Sequence, residues 1–202
     1  SVMAKNLFPE TIDKISNELT PMVATARLIK QEHPDASVVF IGPCASKKLE
    51  ASRRTVRSDV DFVITFEELT GMFEAKGILL DEIKAMDEMK DATAAGRGYG
   101  VAGGVANAIK ECIEKYYPGT PVNIQHAESL AECKKALLLA KAGKMNGCLI
   151  EGMACPGGCI AGAGTNIAIP IAARAVDKFK NEAEKKVPDE SVDQEMVELE
   201  KE

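Results

Sequence analysis

Apolar residues recur along this chain with two periods. Four short runs rich in Val and Ile, 37–41, 60–65, 121–125 and 147–151, predict strands, and turn residues bound several of them. Helical spacing of apolar residues predicts helices over 20–32, 66–76, 101–117 and 128–143. Met22, Val23, Ala26, Leu28 and Ile29 mark the first of these. Thr65 and Glu68 stand at capping-box spacing before the second, and Gly143 suits the C-cap of the last. Strands alternating with helices predict an α/β fold with a four-stranded, mainly parallel sheet flanked by helices. In such sheets ligands sit beyond the carboxyl ends of the strands.

Two stretches break the pattern. Residues 81–97 are polar and alanine-rich, which predicts an excursion holding a short helix. Residues 178–202 are heavily charged, with Pro188 as a break and Ser191 and Gln194 as a possible new N-cap pair. Val192, Met196 and Leu199 give this end a narrow apolar stripe. The expected division is therefore a lobe over 1–177 and a charged C-terminal helical tail over 178–202.

At 202 residues the chain is long enough to bury a core of its own. Its net charge of −6 argues against a nucleic-acid partner, which wants a basic face. No apolar run reaches the length of a membrane span, and the N-terminus lacks a signal-peptide h-region. Six cysteines in a chain of this size read as thiols, and the expected location is the cytoplasm.

Two cysteine loops carry the chemistry. Glu151-Gly-Met-Ala-Cys-Pro-Gly-Gly-Cys159 places Cys155 and Cys159 around Pro156, Gly157 and Gly158, residues that neither pack a core nor continue a strand ladder. Gly42-Pro-Cys-Ala-Ser-Lys-Lys48 holds Cys44 after the first strand run. Each loop follows a predicted strand, so a single parallel sheet would bring all three thiols to one edge. Soft thiolates on such turns suit iron–sulfur or zinc chemistry. The lone Cys44 and the C-x-x-x-C spacing favour a cluster lodged between loops over a zinc site of two compact pairs. A zinc-stabilised structural domain stays as an alternative.

The remaining candidates read as structure. Cys112 and Cys133 fall at helical spacing among apolar neighbours, and Cys148 sits in a strand run, all as small hydrophobes. Gly98, Gly100 and Gly103 match a dinucleotide fingerprint by letters. No strand precedes them, so tight packing at a helix start fits better. Lys47 and Lys48 are either a solvated pair or partners of an anionic ligand beside Cys44. Glu50 and Glu151 read as surface groups or groups behind the site. His33 ends a helix and His126 ends a strand, and neither has a spaced partner for zinc.

The two loops resemble the second and third active-site motifs of iron-only (FeFe) hydrogenases. Residues 59–69 and Gly103-Gly-Val-Ala106 sit where that family has similar stretches, and the likeness runs to about Ala172. The resemblance implies the C-terminal part of a hydrogenase catalytic domain, one lobe of it. It implies reversible interconversion of hydrogen with protons and electrons. It also implies a 4Fe–4S cluster bridged to a two-iron subcluster that carries carbon monoxide, cyanide and a dithiolate. By motif position Cys44 and Cys155 would bind the cubane, and Cys159 would bind it and bridge to the two-iron unit. Lys47 would hydrogen-bond an iron-bound cyanide and Met153 would pack against the two-iron unit. The implied partners are the remaining N-terminal lobe and a ferredoxin-like electron carrier.

Three departures qualify this. The family's first motif, which supplies the fourth cubane ligand, is absent, and Phe8-Pro-Glu10 resembles what normally follows it. The chain therefore reads as a fragment that is inactive alone and holds no intact cluster. The family's methionine before Pro43 is Gly42, and its glycine-rich run after the last cysteine is Gly162-Ala-Gly-Thr-Asn166. Both point to a divergent or sensory-like branch. A non-catalytic iron–sulfur or hydrogen-sensing module of a regulatory protein is the competing expectation.

Overall fold

A computed structural model describes residues 2–52, 59–84 and 92–188. In chain order these form α1 (Val2–Leu7), α2 (Pro21–Glu32), β1 (Val39–Ile41), α3 (Ser46–Ala51), β2 (Phe62–Ile64) and α4 (Phe66–Ala75). There follow α5 (Ala94–Arg97), α6 (Gly104–Tyr116), β3 (Asn123–Glu128), α7 (Leu130–Lys141), β4 (Cys148–Met153) and α8 (Ile169–Asn181). The described residues divide into two compact units, one of 2–16, 92–161 and 168–188, the other of 17–52, 59–84 and 162–167.

In the second unit β1 pairs with β2 in parallel, Val39 opposite Phe62 and Ile41 opposite Ile64. Side chains alternate across the pair. Phe40 and Val63 pack with Val38 against Met22, Val23 and Ala26 of α2 and against Val60, which forms the core. Val39, Ile41 and Phe62 face the other way and are exposed. Helix α4 starts on the expected capping box. The Glu68 N–H donates to Thr65 Oγ1 at 3.2 Å, and the Thr65 N–H donates to Glu68 Oε2 at 2.8 Å.

In the first unit β3 and β4 pair in parallel over six residues each, from Asn123 opposite Cys148 to Glu128 opposite Met153. Helix α7 is the crossover between them, and it ends with Gly143 at a φ of 72°, as its sequence suggested. Apart from Phe8 and Thr11, the buried side chains here are alanines: Ala4, Ala95, Ala106, Ala108, Ala127, Ala136 and Ala172. Alanines let helices and backbone approach closely, and this unit uses that closeness around its cysteine turn.

The α/β character and the parallel pairing hold, but the single four-stranded sheet does not form. Among the described residues there are two separate two-stranded sheets. Alternation specifies which side chains face a core and how neighbours run. It does not specify which strands are neighbours, because four short Val/Ile runs read alike. The shared sheet edge expected for Cys44 and Cys155 falls with it. His126 also corrects its expected place: it lies within β3 rather than at its end. Helix α8 continues through the expected boundary at 177 to Asn181. The apolar stripe and N-cap pair expected in the tail lie outside the described residues.

Candidate metal centre

Cys44 leaves β1 through a loop continuous with the sheet. The Gly42 N–H donates to Ile64 O at 3.1 Å, and Pro43 O accepts from the Gly164 N–H at 3.0 Å. A Cβ at Gly42 would lie 2.8 Å from the Phe40 ring, so the place of the expected methionine is taken by an aromatic side chain. Helix α3 begins two residues after Cys44. Lys47 Nζ lies 2.8 Å from Glu50 Oε2, and Glu50 Oε1 accepts from Thr20 Oγ1 at 2.5 Å. Lys47 is thus held by a carboxylate on its own helix, which is in turn tied to the N-cap of α2. Lys48 instead pairs with Glu68, whose carboxyl falls to about 2 because Lys48 donates to it, helped by the Thr65 backbone.

Cys155 and Cys159 follow β4. Met153, the last strand residue, is half-buried, and its carbonyl accepts from the Ser129 N–H at 2.9 Å. Ser129 holds a φ of 147° and a ψ of 163°, a region that side chains strain to occupy. Gly157 and Gly158 take φ values of 92° and 90°. The turn is closed by Gly158 N–H donating to Cys155 O at 3.0 Å and Ala161 N–H donating to Gly158 O at 3.1 Å. Its outer edge is held by Glu128, whose Oε2 accepts from the Gly157 N–H at 3.1 Å. Cys155 is half-buried and Cys159 exposed.

Sequence reasoning missed the role of Glu151. Its side chain is only 8% exposed, and it caps α6. Oε2 accepts from Gly103 N–H at 2.5 Å, and Oε1 accepts from Val105 and Ala106 N–H at 3.0 and 3.2 Å. A negative charge there complements the helix dipole and satisfies donors that a helix start leaves over. The same fact disposes of the dinucleotide reading. The position a pyrophosphate would take is filled by this carboxylate, and the preceding Ala94–Arg97 is helix, not strand. The signal was available in part, as a lone acid in an otherwise apolar strand run.

No disulfide joins the six cysteines. The Cys133 Sγ lies 3.6 Å from Ala127 O and 3.7 Å from Met153 O, and burial pushes its thiol pKa up. That is the chemistry of a packed thiol. Cys148 opens β4, and the Asn123 amide donates to it at 3.3 Å. The donor chemistry of Cys44, Cys155 and Cys159 suits an iron–sulfur cluster. Their number does not, since a cubane takes four thiolates. Among the described residues no three His, Cys, Asp or Glu side chains come together to hold a metal.

The description "Iron only hydrogenase large subunit, C-terminal domain" matches residues 1–163, which include every candidate ligand. The chain belongs to that family. It is 27% identical to the periplasmic Fe hydrogenase large subunit of Nitratidesulfovibrio vulgaris, over 87% of this chain and 51% of that one. Against iron hydrogenase 1 of Clostridium pasteurianum it is 26% identical, over 80% of this chain and 35% of that one. It therefore spans about half the length of one hydrogenase relative and about a third of the other. The cytosolic Fe-S cluster assembly factor NAR1 of Kluyveromyces lactis is 39% identical over 69 residues, 34% of this chain and 15% of that one. Among solved structures, a variant of the FeFe-hydrogenase HydA1 from Chlamydomonas reinhardtii superposes with a TM-score of 0.68. The two are 20% identical over 91% of this chain and 65% of that one, a likeness of fold. No described helix is long and apolar enough to cross a membrane.

Proposed function

We propose that this chain is the C-terminal part of an iron-only hydrogenase catalytic domain. Its parent interconverts hydrogen with protons and electrons. The observation that carries this reading is the family match over residues 1–163, which takes in Cys44, Lys47, Met153, Cys155 and Cys159 together. Cys44, Cys155 and Cys159 are proposed as thiolate ligands of the iron–sulfur cluster, with Lys47 as a cationic donor and Met153 as a polarizable apolar wall. When bound, the cluster with its two-iron subcluster supplies the redox chemistry. The chain's own part is to present soft ligands on turns and to hold the ammonium in place through Glu50. A ferredoxin-like carrier and the rest of the catalytic domain are the proposed partners. The cytoplasm is the proposed compartment, on the six cysteines without a disulfide, although one relative is named periplasmic.

Three cysteines fall one short of a cubane, so the chain by itself is proposed to be inactive and to hold no intact cluster. Reconstitution with iron and sulfide tests this. Low iron in this chain alone, with cluster binding and hydrogen evolution once the rest of the catalytic domain is supplied, is the expected result. Stoichiometric iron and sulfide with hydrogen evolution from this chain alone would refute the inactivity. Cluster binding without hydrogen turnover in the complete domain would favour the second reading, a non-catalytic iron–sulfur or hydrogen-sensing module. The match to an Fe-S cluster assembly factor supports that reading, as do Gly42 and the Thr165-Asn166 pair.

A further inference from the structure

We propose that Glu151 is a positioning residue for the Cys155–Cys159 turn, acting through the N-terminus of α6 and the segment Gly98–Ala102. Three observations join into one ring. The carboxylate, on β4, takes the N–H groups of Gly103, Val105 and Ala106. The segment leading into that helix donates the Ala102 N–H to Gly157 O at 3.1 Å. The turn itself follows β4 directly, with Cys155 four residues after Glu151, which closes the ring covalently.

The ring is tight at every link. A Cβ at Gly104 would fall on the Gly98 carbonyl oxygen. One at Gly158 would overlap Ala102 N and lie 2.6 Å from Val101 C. With no room for side chains, backbone rests on backbone, and a shift at the helix start passes directly to the turn. A carboxylate suits the post because three donors converge on it and its two oxygens offer acceptor sites for all of them. His126 Nδ1 lies 3.4 Å from the same Oε2, on its exposed side.

The ring concerns thiols without metal, and only its consequence for ligand placement rests on the hydrogenase reading. The test is iodoacetamide labelling of the full metal-free chain, with peptide mass spectrometry comparing Cys155 and Cys159 against Cys44. Glu151→Ala is expected to speed labelling of the half-buried Cys155 about tenfold relative to Cys44, as local opening rises, with the already exposed Cys159 little changed. Glu151→Gln keeps one acceptor oxygen and is expected to restore part of the protection. Tyr116→Phe, which removes the hydrogen bond to Pro188 O at the far end of α6, is expected to leave the ratio unchanged. An unchanged ratio in Glu151→Ala, or an equal rise in Tyr116→Phe, would overturn the proposal. Should Glu151→Ala not fold, native-state hydrogen exchange of the unaltered chain decides. The Ala102, Gly103, Val105 and Ala106 amides are expected to open as one unit in denaturant, and separate openings would overturn it. Neither readout depends on iron, so failure here leaves the hydrogenase reading standing.

Discussion

Each unit carries a parallel strand pair and a cysteine loop that follows one of its strands, and the two loops are held by different means. The Cys44 loop runs into α3 and adds side-chain ties to its backbone bonds at Gly42 and Pro43. Lys47 reaches Glu50, which also holds Thr20, and Lys48 reaches Glu68 at 2.6 Å. The Cys155–Cys159 turn is fixed mainly by backbone, through Ala102, Gly158 and Ala161 N–H groups and a Gly158 with no space for a Cβ, beside one side chain, Glu128, on the Gly157 N–H. Partly exposed ion pairs each contribute on the order of 0–1 kcal/mol and tolerate replacement. Backbone packed on backbone tolerates almost none. Two cysteine loops of similar composition therefore differ sharply in how much change they permit.

The largest expected effect tests that contrast directly. Gly158→Ala puts a Cβ into Ala102 at positive φ and is expected to cost about 3–5 kcal/mol, or to remodel the turn. Gly42→Ala meets only the edge of the Phe40 ring, a side chain that can shift against the core, and is expected to cost about 1–2 kcal/mol. Denaturant unfolding of both variants reads the difference, and equal costs would break the comparison.

Next in size is the core beneath the side-chain-held loop. Met22 is 5% exposed in the cluster under β1 and β2, and Met22→Ala is expected to lower stability by about 2–4 kcal/mol. A loss well below about 1 kcal/mol in thermal unfolding would show that the strand pair, not the α2 core, holds that unit.

Smaller still is Glu50→Gln, which loosens Lys47 at an expected cost of about 0.5 kcal/mol while raising the rate of Lys47 acetylation. Acetylation at the unaltered rate would show that the ammonium does not rely on Glu50. Smallest is Lys48→Met, which removes the main cause of the depressed Glu68 pKa. A depressed carboxyl contributes stability that is present above its ordinary range and lost as pH falls from about 4.5 towards 2. The variant is expected to titrate Glu68 nearer its ordinary value by carbon-detected NMR and to lose less stability over that interval. An unmoved Glu68 titration would assign its shift to Thr65 alone.

Caps, turns and stops are legible in the chain, and strand partnership is not. The Thr65–Glu68 capping box and the Gly143 stop are legible because they depend on residues three or four positions apart. The two cysteine loops are legible for the same reason: Pro156, Gly157 and Gly158 declare a turn whatever surrounds them. Glycines at 98, 100 and 103 declare close packing, and only the fold shows that Lys180, Ile160 and His126 lie against them, with Gly158 against the Gly100 carbonyl, rather than a nucleotide.

By itself, the sequence determined the four strands, helices α2, α4, α6 and α7, the parallel sense and the family, while α1, α3 and α8 were left unmarked. The tertiary structure alone decided that the strands form two pairs and not one sheet, and that Glu151 turns inward to cap α6 while Lys47 turns to Glu50. The physical reason is range. Caps, turns and helix faces are written in neighbouring residues and stabilised by short loops of chain. Strand partnership and the destination of a buried carboxylate depend on residues some 25 to 48 positions apart, and no local pattern encodes which of several similar partners will close the distance.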